Sequence, residues 1–198
     1  MTLWTIQTVD AWRILETKGK LRGDSRKVEK SFHGAYEWMK QQMTRRLGPP
    51  PTKSAQPTWA WHQWNGEQQR KPDLGSGGYL EKCQTGVRLE LDVDHRRVLL
   101  SDFGLWHFVL NYWYLPTSEQ DGDAFEAGLK ARGLSFFKTK PLPDSRFHRA
   151  IESSWERIFD LDFNARGIAS PRKQKGIQAC LWEFNLADVT AVKQFKSR

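Results

Sequence analysis

The sequence of 198 residues has few cysteines and no long apolar run. Its two cysteines, Cys83 and Cys180, form no Cys-x-x-Cys pair and have no histidine at a metal-ligand spacing, so no metal site is expected. No stretch approaches about 20 consecutive apolar residues, which excludes a transmembrane helix. The N-terminus lacks the basic and apolar regions of a signal peptide. We therefore expect a cytoplasmic protein with free thiols and neither a metal nor a membrane partner.

Several catalytic signatures are also missing. The sequence contains no P-loop, no dinucleotide-binding Gly-x-Gly-x-x-Gly after a strand, and no zincin, deaminase or Gly-x-Ser-x-Gly motif. These absences exclude P-loop enzymes, Rossmann dehydrogenases, the common zinc hydrolases and α/β-hydrolases.

Positive charge and tryptophan are both abundant. Lys and Arg number 31 against 23 Asp and Glu, which gives a net charge of +8 and a pI near 9.6. Ten residues are Trp, and aromatic residues make up 13% of the chain, which argues against disorder. The charge favours binding to nucleic acid, and a solvated basic surface is the simpler alternative.

The pattern of elements is α+β, in one domain over residues 1–198. A strand over Leu3–Thr8 leads into a helix that Thr8 caps and Gly19 ends. Further strands are predicted at 59–64, 87–93, 177–184 and 189–195. Between them, apolar stripes predict helices, which are marked by the following residues: Phe32 to Leu47, Trp106 to Trp113, Phe125 and Leu129, and Phe147 to Ile158. The polar, glycine-rich segment 65–79 is expected to be an exposed loop facing a substrate.

Three segments place polar residues where chemistry could use them. Thr5 and Gln7 share one face of the first strand, opposite Trp4 and Ile6. Ser101 stands at a strand-to-helix junction, where backbone N–H groups can bind an anion. Gln178 lies near the start of a C-terminal strand. The simpler alternatives are that Thr5 and Gln7 pair with backbone, that Ser101 caps a helix, and that Gln178 faces solvent.

Motifs along nearly the whole chain resemble a bacterial and phage family of unknown function. Its members open with an LWTIQT-like strand and an Ala-Trp helix, and carry YEWM, RLGPPP, WAW, LLSDF, SWERIFDL and IQA-x-x-WE segments. In this sequence these segments are Leu3–Thr8 with Ala11-Trp12, Tyr36–Met39, Arg46–Pro51, Trp59–Trp61, Leu99–Phe103, Ser154–Leu161 and Ile177–Glu183. This resemblance implies little biochemistry.

The order of elements also resembles that of an ADP-ribosyltransferase. In the nucleic-acid-modifying branch of that superfamily, an aromatic-His-hydrophobic-Thr strand leads into a helix that ends in Gly, a basic loop covers NAD, and a C-terminal strand begins with a catalytic Glu. The resemblance implies a mixed or antiparallel split sheet with peripheral helices. It further implies NAD as cofactor, bound by Trp61, Arg70, Lys71 and Tyr79, and a catalytic set of Thr5, Gln7, Ser101 and Gln178.

The catalytic positions depart from that pattern. Thr5 stands in place of the usual His, and Gln178 in place of the usual Glu. An amide can hydrogen-bond a ribose hydroxyl, but it cannot act as a general base or stabilise a cationic transition state through charge.

The sequence thus leaves three hypotheses. The first is an NAD-dependent ADP-ribosyltransferase, a glycosyltransferase that modifies RNA or single-stranded DNA as a toxin or phage-defence effector. In this hypothesis Gln178, Thr5 and Arg70 line one cleft. The second is a non-enzymatic nucleic-acid or nucleotide-binding module. The third is a protein-interaction partner of a toxin system, such as an antitoxin, which would use exposed Trp clusters.

Overall fold

The structure is a computed structural model that describes all residues from Met1 to Arg198. Its mixed α+β fold contains five α-helices and an antiparallel sheet. The strands are β1 (Thr2–Thr8), β2 (Lys20–Arg22), β3 (Thr58–Gln63), β4 (Thr85–Asp92), β5 (Leu99–Asp102), β6 (Ile177–Leu181), β7 (Glu183–Asn185) and β8 (Val189–Lys196). The helices are α1 (Val9–Lys18), α2 (His33–Leu47), α3 (Phe103–Leu110), α4 (Glu119–Ala131) and α5 (Ser145–Ser154).

The chain divides into two compact units. The first contains Met1–Leu100 and Gly176–Arg198, and the second contains Ser101–Lys175. The expectation of one domain over residues 1–198 stays a prediction. No helix in either unit combines the length and the apolar character needed to cross a membrane.

The larger sheet has six strands in the order β5-β6-β3-β1-β4-β8, and all of them except the last two residues of β5 belong to the first unit, as does a two-stranded sheet of β2 and β7. Strands β1, β3, β4, β6 and β8 pair antiparallel. Strict alternation in β4 places Val87, Leu89 and Leu91 on a single face, and all three are buried. This core face packs with Leu3 of β1 and Leu15 of α1.

The ends of α1 follow the predicted signals. The Thr8 side chain accepts a hydrogen bond from the Ala11 N–H, and Gly19 ends the helix in the left-handed conformation with φ 70°. Because α1 follows β1 directly and Leu15 is fully buried, the helix covers the core face of the sheet.

The second unit is helical and rich in aromatic contacts. The rings of Tyr114 and Phe125 stack at 3.9 Å between centroids, and Trp155 Nε1 donates to the Trp113 carbonyl at 2.7 Å. Ile151 and Ile158 are fully buried. The predicted stripe from Phe147 to Ile158 is therefore interior, but the α-helix ends at Ser154 and a 3₁₀ turn continues over Trp155–Phe159.

Three further element predictions need correction. The cap of α3 is Asp102, whose carboxylate accepts the Leu105 N–H at 3.1 Å, whereas Ser101 is the buried residue before it. The same helix stops at Leu110, because Tyr112 takes φ 60°, so Trp113 lies outside the helix. The strand predicted over 177–184 breaks at Trp182 into β6 and β7.

Candidate functional site

A row of four side chains crosses the face of the large sheet opposite the core. Gln178 of β6 pairs with Trp61 of β3, and Trp61 also pairs with Trp4 of β1. Trp4 pairs on its other side with Glu90 of β4. Residues that pair directly across antiparallel strands point to the same side of a sheet. We call these four residues the aromatic row.

The loop between β3 and β4 folds back over this row. Arg70 and Lys71 place their charged groups 5.9 and 5.8 Å from the ring centroid of Trp4. The Trp64 N–H donates to the Arg70 carbonyl at 2.9 Å, and Arg88 donates to the Pro72 carbonyl at 2.7 Å. The loop therefore brings two cations to the aromatic row, where the face of an indole ring attracts positive charge.

Glu90 anchors one end of the row. Its Oε2 atom accepts from Trp4 Nε1 at 2.9 Å and lies 2.9 Å from Lys71 Nζ. The hydrogen bonds from Trp4 and then from Lys71 hold the pKa of the Glu90 carboxyl below its ordinary value. Lys71 is thus neutralised by Glu90, while Arg70 remains an exposed cation on the loop.

The other end of the row carries a polar atom without a partner. Gln178 Oε1 is buried and accepts no hydrogen bond. A buried acceptor left unpaired costs about 1–3 kcal/mol. Such an atom indicates a position where a bound molecule can supply the missing donor.

Tyr79, from the same loop, packs against Trp64 outside the row. Its ring lies 6.3 Å from that of Trp64, and its hydroxyl is buried without a hydrogen-bond partner. Burial raises the pKa of the Tyr79 hydroxyl to about 12, so this group stays protonated and able to donate.

The structure separates Thr5 and Gln7 from Gln178. Thr5 follows Trp4 in β1 and so points to the core face, where it is buried. Its Oγ1 donates to the Trp59 carbonyl at 2.9 Å and accepts from Gln7 Nε2 at 2.7 Å. The expected single cleft of Gln178, Thr5 and Arg70 is therefore wrong for Thr5, and backbone pairing, the simpler alternative, describes it.

Ser101 belongs to the second unit and is fully buried, with its Oγ lacking a hydrogen-bond partner. The neighbouring Asp102 binds Lys175 of the same unit at 2.8 Å. An ammonium group thus occupies the position beside the junction where an anion was expected. No group of three or more His, Cys, Asp or Glu side chains in the chain is placed to hold a metal ion.

Sequence reasoning identified Trp61, Arg70, Lys71 and Gln178 but missed Trp4 and Glu90 as members of the same site. The available signal was the polar face of β4, where Arg88 and Glu90 alternate with the buried residues. Only the strand register shows that Glu90 pairs with Trp4.

The ion pair at Glu90 gives a pH-dependent stability. Because the folded-state pKa of Glu90 is lowered, its stabilising contribution is present above the unfolded pKa of about 4.3 and is lost as the pH falls through the folded value. We expect Glu90→Gln to cost no more than about 1 kcal/mol at pH 7, since the pair is partly exposed, and to flatten the stability curve below about pH 4.5. Urea unfolding at pH 7 and pH 3.5 measures both effects. Glu16→Gln, on the exposed side of α1, should change neither, and an equal loss at the two pH values would contradict the assignment.

The fold and the aromatic row define an α+β protein whose antiparallel sheet carries tryptophans and an unpaired amide oxygen on one face, with two loop cations over the Trp4 ring. A family model described as "Domain of unknown function (DUF3841)" matches residues 2–190, so the chain belongs to this family. No curated protein and no solved structure matches the chain.

Proposed function

We propose that the protein binds NAD against the aromatic row and transfers its ADP-ribosyl group to nucleic acid. The observation that carries the proposal is the buried, unpaired Gln178 oxygen, on the residue that pairs with Trp61 across β6 and β3. A ribose hydroxyl can donate the hydrogen bond that this oxygen lacks.

The arrangement of elements supports the same proposal. The resemblance to ADP-ribosyltransferases rests on an opening strand, a helix ending in Gly, a basic loop and a late strand that begins at the catalytic position. Here β1, β3 and β6 are neighbours in one sheet, Gly19 ends α1, and the loop after β3 carries Arg70 over β1. Elements distant in sequence therefore meet around one sheet, in the order that the resemblance to ADP-ribosyltransferases implies.

The side chains of the row fit a dinucleotide. Trp61 offers an aromatic surface for a base or nicotinamide ring, and Arg70 offers an exposed guanidinium for the pyrophosphate. Tyr79 holds a protonated hydroxyl in the same loop. Thr5 and Gln7 act from the core face as positioning residues, because Thr5 fixes the backbone of β3 at Trp59.

NAD supplies an N-glycosidic bond, from which nicotinamide leaves with the bonding electron pair while an oxygen or nitrogen of the acceptor bonds to the ribose. The acceptor gives up one proton in this exchange. Glu90 cannot accept this proton from an acceptor bound beside Gln178, because Glu90 and Gln178 are three strand spacings apart, about 14 Å. The proton therefore passes to water or to a phosphate of the acceptor.

The distribution of charge supports a nucleic-acid acceptor. The first unit, which holds the aromatic row, has 20 Lys and Arg against 13 Asp and Glu, whereas the second has 11 against 10. Nearly all of the excess positive charge thus lies in the unit that would bind NAD, where it attracts phosphates. A bulky charged adduct on RNA or single-stranded DNA would block its use as a template, which is consistent with the toxin or phage-defence role.

A non-enzymatic nucleotide-binding module is the second candidate. It is favoured by the absence of a carboxylate next to Gln178 in the aromatic row. The antitoxin hypothesis rested on exposed Trp clusters, and none of the ten Trp residues is exposed.

The test is transfer from NAD labelled on its adenine side, offered to RNA, single-stranded DNA, duplex DNA and a protein lysate. We expect labelling of RNA or single-stranded DNA by the unmodified chain. Gln178→Leu, which keeps the volume but removes the oxygen, should reduce transfer at least about tenfold, because the site loses a hydrogen bond to the ribose. Gln120→Leu, on the exposed surface of α4, is the matched control.

The outcomes separate the two candidates. Saturable NAD binding that depends on Gln178, without transfer to any acceptor, would establish the binding module instead. Absence of both transfer and NAD binding would overturn the proposal.

A further inference from the structure

A pocket opens on the first unit, beyond the aromatic row. It has a volume of about 280 Å³ and lies between the ends of β1 and β3 and the turn Ser25–Lys27. Its walls include Ile6, two residues after Trp4 in β1, and Trp59, two residues before Trp61 in the antiparallel strand β3. Because alternate residues share a face, Ile6 and Trp59 lie about 7 Å from the row, whereas Gln7 and Thr58, which also line the pocket, belong to the core face. The pocket therefore lies at the ends of the two strands.

Two buried polar atoms in this pocket lack partners. Gln56 is 7% exposed and Thr58 is 6% exposed, and neither Gln56 Oε1 nor Thr58 Oγ1 makes a hydrogen bond. Both residues line the pocket. Two such atoms in one small pocket are costly to the apo protein, and a ligand that donates hydrogen bonds would satisfy them.

The backbone holds Gln56 firmly in place. Gly23 forms an isolated bridge with Gln56, and a Cβ atom at Gly23 would lie 2.7 Å from the carbonyl oxygens of Gln56 and Pro57. Only glycine permits this approach. The residue that carries the unpaired amide oxygen is therefore positioned by a close backbone contact.

The lining defines the chemical class of the ligand. Trp59 and Tyr36 offer aromatic surface, and Gln56 Oε1 and Thr58 Oγ1 are two unpaired acceptors. An exocyclic amino group carries two N–H donors and can satisfy both, whereas the single ring N–H of uracil can satisfy only one. Lys27 is exposed at the mouth and can meet a phosphate. The volume of about 280 Å³ is just below the range of about 300–1,000 Å³ for drug-sized ligand sites, which suits one base better than a dinucleotide.

We infer that this pocket binds a nucleobase with an exocyclic amino group, adenine, cytosine or guanine, from the acceptor strand. The inference rests on the proposed function for the identity of the acceptor, but its binding step does not require NAD. A side-chain amide that pairs with an amino-bearing base discriminates against a base that lacks the amino group.

The experiment measures binding of CMP, AMP and UMP to the full chain by titration calorimetry in the absence of NAD. We expect CMP or AMP to bind at least about tenfold more tightly than UMP, because uracil has no exocyclic amino group. Gln56→Leu should remove this preference, and Thr58→Val should weaken binding of the preferred nucleotide. Gln41→Leu, at an exposed position of α2, should leave both unchanged.

The unfolding temperatures of the same variants show whether a loss of binding reflects a loss of fold. Gln56→Leu removes a buried unpaired amide oxygen, so its unfolding temperature should be close to or above that of the parent. Equal binding of the three nucleotides, no saturable binding, or a preference that survives Gln56→Leu would overturn the inference. Competition between nicotinamide and CMP for the pocket would also overturn it, since the pocket would then belong to NAD.

Failure of the inference and failure of the proposed function are distinguishable. Nucleotide preference that depends on Gln56, without any NAD binding that depends on Gln178, would retain the base pocket and remove the transferase. The reverse pattern would retain the transferase and place its acceptor elsewhere.

Discussion

Replacing Lys175 with methionine is expected to lower the free energy of unfolding by about 3–5 kcal/mol. Lys175 Nζ lies 2.8 Å from Asp102 Oδ2 and donates to the Phe163 carbonyl at 2.7 Å. The two charged side chains are 1% and 5% exposed. Removal of the ammonium leaves the Asp102 carboxylate buried without its counter-ion, and water cannot reach it to compensate.

The effect should be large because the pair joins the two ends of the second unit. Asp102 is the second residue of that unit and Lys175 is its last. Asp102 also caps α3 through the Leu105 N–H. Asp102→Asn keeps an amide oxygen for the cap but removes the charge, so it should cost about as much as Lys175→Met by stranding the ammonium instead.

Urea unfolding at pH 7 measures these differences. Lys173→Met, two residues away and exposed, is the matched control and should change stability by less than about 0.5 kcal/mol. The double variant Asp102→Asn, Lys175→Met should lose less than the sum of the single losses, because neither leaves the other's charge unpaired. Strict additivity, or a loss below about 1 kcal/mol for Lys175→Met, would show that the pair is not a buried ion pair in solution.

The first unit could be predicted well where periodicity and caps agree. β4 alternates strictly, and its apolar side is the core face. Thr8 and Gly19 bound α1 because a β-region hydroxyl and a left-handed glycine are strong local signals. These features depend on neighbours within one turn or one strand, which a single sequence contains.

The errors arise where tertiary contacts choose between equivalent local signals. Ser101 and Asp102 are both good capping residues, and the burial of Ser101 together with the ion pair to Lys175 selects Asp102. Tyr112 ends the helical region with a positive φ at a non-glycine residue, where no sequence signal marks it. Its hydroxyl is held by His148 at 2.6 Å and by the Leu142 N–H at 3.0 Å, contacts that bridge about 30 residues of chain.

The aromatic row could be predicted only in part for the same reason. Alternation shows which residues of β1, β3, β4 and β6 share a face, but strand order and register decide which of them meet. A shift of one residue in the pairing of β1 would have brought Thr5, rather than Trp4, beside Trp61. The separation of Thr5 from Gln178 thus depends on strand register, which composition and residue spacing do not reveal.

Replacing Gln178 with glutamate is expected to raise the rate of ADP-ribosyl transfer by about 100-fold. The two side chains have nearly the same shape, so the ribose hydrogen bond proposed for Gln178 is kept. The carboxylate adds a negative charge where positive charge develops on the ribose as nicotinamide leaves. The nearest acidic member of the aromatic row, Glu90, is already bound to Lys71 and Trp4 at its far end.

The measurement is the single-turnover rate of label transfer at saturating NAD, for the parent, Gln178→Glu and Gln178→Leu, with Gln120→Glu as the exposed control. The rate of Gln178→Glu should rise with pH as the new carboxyl loses its proton, while the parent rate should not follow that titration. The acceptor preference should stay the same, because it is set away from Gln178. An unchanged or lower rate in Gln178→Glu, with NAD affinity retained, would mean that Gln178 binds the nucleotide away from the reacting carbon. The aromatic row would then be a binding surface and not a catalytic one.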